Sequence, residues 1–101
     1  MAKPKNDCPI IELRNLGPRC EEDLAQIDVH TAGDIRKLGV KETFLRMMLG
    51  RIARKDGGKC FNASYLYALY GAVNDCDWRE VPRKTKDDFK KYTAELREEF
   101  S

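Results

Sequence analysis

A short apolar pattern that recurs every 11 residues near the N-terminus constrains this chain more than any other feature. Residues 13–18, 24–29 and 35–40 each begin with an apolar residue, followed by two polar or small residues, a second apolar residue, a turn-forming residue, and an apolar residue or proline. Apolar side chains three apart share one face of a helix, and a turn former after them ends it. The pattern therefore predicts an internal repeat of short helices that each end in a tight turn.

The turn-forming residue of the three units is Gly17, Asp28 or Gly39. Glycine adopts positive φ after a helix without a steric penalty, and aspartate is tolerated there. Pro18 suits the first position of the next helix, where its missing N–H is not needed. We therefore expect positive φ at all three turns.

Helix N-termini are indicated by residues that cap backbone N–H groups. Thr31 is followed three residues later by Asp34, as in a capping box. Asn62 or Ser64 is expected to cap a later helix. Short helices should begin directly after each cap.

Three longer helices are predicted over residues 41–55, 65–74 and 84–99. The expected buried stripe of the first comprises Phe44, Leu45, Met48, Leu49 and Ile52. The second is strongly apolar and is expected to be the central core helix. The residues spaced to dock the third are Phe89, Tyr92, Leu96 and Phe100.

Length and composition agree with these helices. The 101 residues suffice for one domain with one modest core. Leu, Ala, Lys, Arg and Glu dominate, and runs of β-branched residues are almost absent, which favours helix over strand. We predict an all-α domain of five to six short helices over residues 9–101, preceded by a flexible tail over residues 1–8.

Several classes of protein are not supported by the sequence. The N-terminus has no apolar signal-peptide core and no run spans a bilayer, so we expect a cytoplasmic protein without a membrane partner. The four cysteines form no CxxC pair, so no metal is expected and reduced thiols are favoured. The single His30 stands in no catalytic motif. We expect a non-enzymatic protein with no cofactor and no small-molecule substrate.

The ordered set of motifs resembles the C-terminal domain of the TfoX/Sxy family. The resemblance rests on residues 13–18, 27–35, 38–39 and 66–72, followed by Trp78 and Pro82. It covers roughly residues 10–90 and implies a compact bundle of the helix–hairpin–helix, SAM-domain-like kind. Better-known members regulate natural competence together with a transcription factor. Those regulators carry a further N-terminal domain for which this chain has no room, so we expect a different role; Asp28 also replaces a glycine of many relatives.

Two regions are candidates for nucleic-acid contact. A glycine turn before a helix N-terminus can hold a phosphate, which singles out Gly17 and Arg19. Three neighbouring carboxylates oppose phosphate there, so a structural turn is the favoured interpretation. The helix and loop over residues 41–59 are the better electrostatic candidate. The basic residues expected to form the contact there are Arg46, Arg51, Arg54, Lys55 and Lys59.

A protein interface is indicated by aromatic residues. Tyr65, Tyr67 and Tyr70 cannot all face inward around one helix, so at least one should be exposed. Trp78 is a further interface candidate, although a tryptophan after an apolar helix more often plugs the core. Two hypotheses follow: a regulatory domain that contacts DNA or a DNA-bound transcription factor, or a protein–protein interaction module without nucleic acid, for which a homodimer is one candidate. The mild formal net charge of +2 and the acidic residues beside the hairpin favour the second hypothesis, whereas the basic helix and the family resemblance favour the first.

Overall fold

A computed structural model describes residues 3–54 and 61–99 of the chain. The α-helices are α1 Pro18–Ala25, α2 Ala32–Leu38, α3 Val40–Arg54, α4 Ala63–Asn74 and α5 Arg83–Glu99. Two short 3-10 helices cover Ile10–Glu12 and Trp78–Glu80. No strand occurs among the described residues, which confirms the all-α prediction. No described helix is long and apolar enough to cross a membrane.

The 11-residue repeat is confirmed at its second and third turns and wrong at its first. Asp28 and Gly39 have φ of 63° and 90°. Gly17 is instead extended, with φ of −102° and ψ of −175°, and it precedes α1 rather than ending a helix. The cause is Pro18, because a residue before proline is pushed out of the helical region. The left-handed residue of this turn is Asn15, with φ of 68°.

Local capping chemistry defines the starts of α2 and α4 as predicted. The Thr31 hydroxyl accepts the Asp34 N–H at 3.3 Å, and the Asp34 carboxylate accepts the Thr31 N–H at 3.3 Å. The N–H of His30 also donates to that carboxylate, at 2.9 Å. Because hydrogen bonds favour the charged form, the His30 backbone contact lowers the pKa of Asp34. At α4, Asn62 rather than Ser64 is the cap, and it accepts the Ser64 N–H.

The core is built around α4, which contacts α2, α3, α5 and the second 3-10 helix. Leu66, Leu69 and Ala72 are fully enclosed. Gly71 allows the following loop to turn back, because a Cβ there would lie 2.3 Å from the Cys76 carbonyl oxygen. The prediction of a central apolar helix is confirmed. The missing side chain at Gly71 makes room for the loop that follows α4.

The predicted buried stripe of α3 is partly wrong. Phe44 and Met48 are buried, whereas Leu49 and Ile52 are 37% and 48% exposed. Arg51 takes the inner position and is only 4% exposed. The helix is therefore rotated so that one of its arginines faces the core.

The segment predicted as a tail contacts α2 through its last residues. The Asn6 carbonyl accepts the Gly33 N–H at 2.9 Å, and the Cys8 carbonyl accepts the Ala32 N–H at 2.9 Å. Gly33 lies so close to Asn6 that a Cβ would be 2.8 Å from its carbonyl oxygen. These contacts attach the chain before the first 3-10 helix to the start of α2.

Candidate functional site

A buried carboxylate between α1 and α3 holds two arginines, and we call Asp23, Arg51 and Arg54 the Asp23 cluster. Asp23 is 5% exposed. Its Oδ2 accepts from Arg51 Nε at 2.8 Å and lies 2.7 Å from Arg51 Nη2. Its Oδ1 accepts from Arg54 Nη2 at 3.0 Å. Paired contacts from one guanidinium to a carboxylate fix both side chains in orientation.

The basic residues predicted to contact nucleic acid do not form one exposed stripe. Arg51 points into the protein, so the prediction that it lies off the buried face is wrong. Arg54 is also engaged by Asp23, although its side chain is 32% exposed. Arg46 lies on the outer surface and pairs with Glu42 at 3.0 Å. Lys55 and Lys59 lie outside the described residues.

The hairpin candidates Gly17 and Arg19 lie at the start of α1. Gly17 is the N-cap and Arg19 is exposed in the first turn. Of the three carboxylates expected to oppose phosphate there, Asp23 turns inward and Glu22 remains on the surface. Glu22 lies three residues after Arg19, so an acidic side chain stays on the same side of α1 as Arg19.

Trp78 and Tyr65 line one open surface pocket, which we call the Trp78 pocket. Its volume is about 280 Å³. The lining residues are Asn15, Cys20, Ser64, Tyr65, Ala68 and Trp78. None of them carries a charge, and most of the surface they present is apolar. The pocket therefore brings together two of the four residues predicted for a protein interface.

The sequence favoured Trp78 as a residue that plugs the core. This prediction is wrong, because Trp78 is 44% exposed. The short 3-10 helix that carries it is fixed by Asp77, whose carboxylate accepts the Arg79 backbone N–H at 2.9 Å and its Nε–H at 3.0 Å. These bonds lower the pKa of Asp77 to about 2. The Arg79 guanidinium also lies 6.0 Å from the centre of the indole ring. This local turn directs the tryptophan outward.

Tyr65 forms the pocket wall from the α4 side and is half-buried. Its hydroxyl accepts a hydrogen bond from Arg51 Nη1 at 3.3 Å. The same guanidinium lies 5.2 Å from the centre of its ring. The Asp23 cluster and the Trp78 pocket therefore share a boundary at this tyrosine.

The other two tyrosines of α4 face α5. Tyr67 is buried and stacks on Phe89 with ring centres 6.1 Å apart. Tyr70 is half-buried and meets Phe89 edge-on. Burial raises the pKa of Tyr67, and its hydroxyl has no hydrogen-bond partner among the described residues. Tyr65 and Tyr70 are both half-buried, so each keeps part of its side chain at the surface.

Outside the Asp23 cluster, the charged residues Asp28, Asp34, Lys37 and Arg46 line another open pocket of about 320 Å³. No three His, Cys, Asp or Glu side chains in the described ranges are close enough to hold a metal ion. His30 contacts Asp28 at 3.1 Å on the surface. Unlike that charged pocket, the Trp78 pocket has no charged lining residue and presents mostly apolar surface, so its lining suits an apolar group.

The fold and this pocket define a small all-α domain of the helix–hairpin–helix kind with an aromatic surface pocket. Residues 7–93 match the family described as the TfoX C-terminal domain, and the chain belongs to that family. A triclinic crystal structure of an uncharacterized protein from Listeria monocytogenes has a similar fold, with a TM-score of 0.74 and 32% sequence identity over 89% of this chain and 94% of that chain. No curated protein matches the chain significantly.

Proposed function

We propose that this TfoX C-terminal domain is a non-enzymatic protein-interaction domain that receives an apolar side chain of a partner protein in the Trp78 pocket. The observation that carries the proposal is the exposed Trp78 beside Tyr65 in an uncharged, concave surface. Tryptophan and tyrosine dominate the binding energy of many protein interfaces, especially when they line a pocket.

The size and lining of the pocket indicate what would enter it. Because liquid water takes about 30 Å³ per molecule, a pocket of about 280 Å³ holds several water molecules when it is open. Their release by one bulky apolar side chain, such as leucine or phenylalanine, favours binding. The indole N–H of Trp78 and the Asn15 amide add polar groups that can orient the partner's backbone.

The nucleic-acid hypothesis has less support from the geometry. Phosphate binding needs basic groups that can exchange counterions for phosphates. The Asp23 cluster engages two of the predicted arginines, and Glu42 engages Arg46. The basic helix therefore offers less positive surface than its sequence suggests, which favours the protein partner.

The test uses the wild-type domain and two variants as baits for partner proteins in extracts of the cells that naturally produce this domain. Trp78→Ala removes the pocket aromatic, and Ile52→Ala removes an apolar residue of similar exposure, 48% against 44%, outside the pocket lining. We expect the wild type and Ile52→Ala to retain the same protein partner and Trp78→Ala to lose it. Retention by all three baits would contradict the proposal.

Two further measurements separate the competing partners. Sedimentation velocity of the wild type and Trp78→Ala detects a second copy as the partner, since only the wild type would then dimerise. Anisotropy with a labelled DNA duplex at low salt tests nucleic acid. Binding that weakens steeply with salt and is unaffected by Trp78→Ala would support DNA and overturn the protein-partner proposal.

A further inference from the structure

The wall of the Trp78 pocket is held from inside the protein by Arg51. Its guanidinium donates to the Tyr65 hydroxyl at 3.3 Å and lies 5.2 Å from the ring centre. A cation over an aromatic ring and a hydrogen bond to the same side chain restrict both the tilt and the position of the ring. Tyr65 is thus tied to the interior at the face opposite the solvent.

Arg51 can serve as a fixed support because its own position is fixed. Two of its nitrogens contact Oδ2 of Asp23, at 2.8 and 2.7 Å, and both side chains are almost completely buried. The planar fork of arginine leaves Nη1 directed away from that carboxylate and toward Tyr65. A lysine could keep the charge pairing, but it has no rigid second donor group.

We propose that Arg51 is a positioning residue for the Trp78 pocket, with Asp23 orienting Arg51 and Arg51 orienting Tyr65. That the pocket binds a ligand rests on the proposed function, whereas the positioning of the Tyr65 ring by Arg51 does not. A wall fixed before binding costs less conformational entropy when a ligand enters. Loss of Arg51 should therefore weaken binding without removing any atom that lines the pocket.

Arg54 provides the matched comparison. It contacts the same carboxylate through Oδ1 at 3.0 Å. No hydrogen bond joins it to Tyr65 in the described structure, and it does not line the Trp78 pocket. Arg51→Lys and Arg54→Lys each replace a guanidinium that contacts Asp23, but only the first removes a contact to Tyr65.

The experiment uses the intact chain and N-acetyl-L-phenylalaninamide as a probe of the pocket. The chain has one tryptophan, so the indole N–H of Trp78 gives a single nitrogen-15 NMR signal from the pocket itself. Probe titration of the wild type, Arg51→Lys and Arg54→Lys gives the dissociation constants. The ring proton signals of Tyr65, recorded without the probe, report the placement of the wall.

For Arg51→Lys we expect probe affinity about three- to tenfold weaker, the effect of having to immobilise roughly one further side chain on binding, together with shifted Tyr65 ring and Trp78 indole signals. Arg54→Lys should leave both near wild type. Equal effects of the two variants, or a folded Arg51→Lys protein with unchanged Tyr65 signals and affinity, would overturn the inference.

Two additional outcomes are decisive. If Arg51→Lys does not fold, Tyr65→Phe tests the same contact by removing only the hydroxyl, and unchanged probe affinity in that variant would refute the positioning role. If the wild type does not bind the probe up to its solubility limit, the pocket of the proposed function is contradicted. The Tyr65 signals in Arg51→Lys and Arg54→Lys then still decide whether Arg51 positions the ring.

Discussion

Asp23 is shared by Arg51 and Arg54, and its replacement by alanine should destabilise the fold severely. Arg51 is 4% exposed and would remain as a buried charge without its carboxylate. Breaking a buried ion pair from one side costs about 3–5 kcal/mol. The Arg54 side chain is 32% exposed and can turn toward water, so its lost contact adds little.

We therefore expect Asp23→Ala to lower the free energy of unfolding by about 3–4 kcal/mol, a large part of the 5–15 kcal/mol typical of a domain. For a chain of this length the melting temperature should fall by roughly 15–25 °C. Urea unfolding followed by far-ultraviolet circular dichroism and by Trp78 fluorescence measures this change. Coincident transitions from the two signals support two-state analysis.

Two comparison variants separate the buried charge from other effects. Arg54→Met should cost less than about 1 kcal/mol, because this arginine is partly solvated. The double variant Asp23→Leu with Arg51→Met replaces the pair by apolar side chains, and its stability should return to within about 1 kcal/mol of wild type. A loss below about 1 kcal/mol in Asp23→Ala would refute the reasoning, since Arg51 would then be adequately solvated without its partner.

Gly39→Ala should lower the free energy of unfolding by about 1–3 kcal/mol, since φ is 90° there. Gly17→Ala should be neutral or stabilise by up to about 1 kcal/mol, since a Cβ there meets nothing within 4 Å; urea unfolding that ranks the two variants in the opposite order would contradict the turn assignment. Gly71→Ala should cost about 1–3 kcal/mol or more through overpacking against a carbonyl oxygen, and an unchanged unfolding midpoint would count against that contact. The pKa of Asp77, measured by carbon-13 NMR titration, should be about 2 and should rise toward 3.8 in Arg79→Ala. Because the folded pKa is lowered, the stabilisation is present above pH 3.8 and is lost as the pH falls toward 2; an Asp77 pKa that is unaffected by Arg79→Ala would exclude this cause.

The features predicted well from sequence depend on interactions within a few residues. Thr31 and Asp34 cap α2 through bonds that span three residues, and Asn62 caps α4 through a bond to the N–H two residues later. Gly39 ends α2 because of its own backbone freedom. At Gly17 the conformation is also set locally. The following proline favours extended backbone at the residue before it, and this preference prevails over the positive φ expected for a glycine turn. Predicting that turn correctly required weighing two neighbouring residues against each other.

The orientation of α3 could not be obtained from its own sequence. Apolar side chains lie on more than one side of the helix, so the stripe through Leu49 and Ile52 and the stripe through Met47 were both plausible by periodicity alone. Which of the two stripes of α3 faces the core depends on Asp23, which lies 28 residues before Arg51 in the chain. The sequence nevertheless contained a signal for the buried ion pair. Asp23 lies three residues after Cys20, on the apolar side of α1, and Arg51 lies three residues after Met48 on α3. Opposite charges on two apolar faces predict a buried pair.

The Trp78 pocket requires four separate segments to converge, which no local pattern reports. Asn15 comes from the first turn, Cys20 from α1 and Tyr65 from α4, and the tryptophan arrives from the connector before α5. The aromatic residues were identified from the sequence, but the sequence did not show which of them line the pocket and which pack against α5. That division follows from the contacts of α4 with α5. Tyr67 and Tyr70 pack on Phe89, which leaves Tyr65 for the opposite side.

The position of one acidic residue links the stability of this domain to the surface that α3 presents. With Asp23 present, α3 directs Arg51 inward, where it stabilises the fold and supports Tyr65 at the pocket. A member of the family with both arginines but an apolar residue in place of Asp23 would have to turn Arg51 toward solvent, since an unpaired buried charge is too costly. Such a domain would gain basic surface on α3 and lose the support of its pocket wall. The acid on α1, rather than the number of arginines on α3, therefore determines how much basic surface this helix presents to solvent.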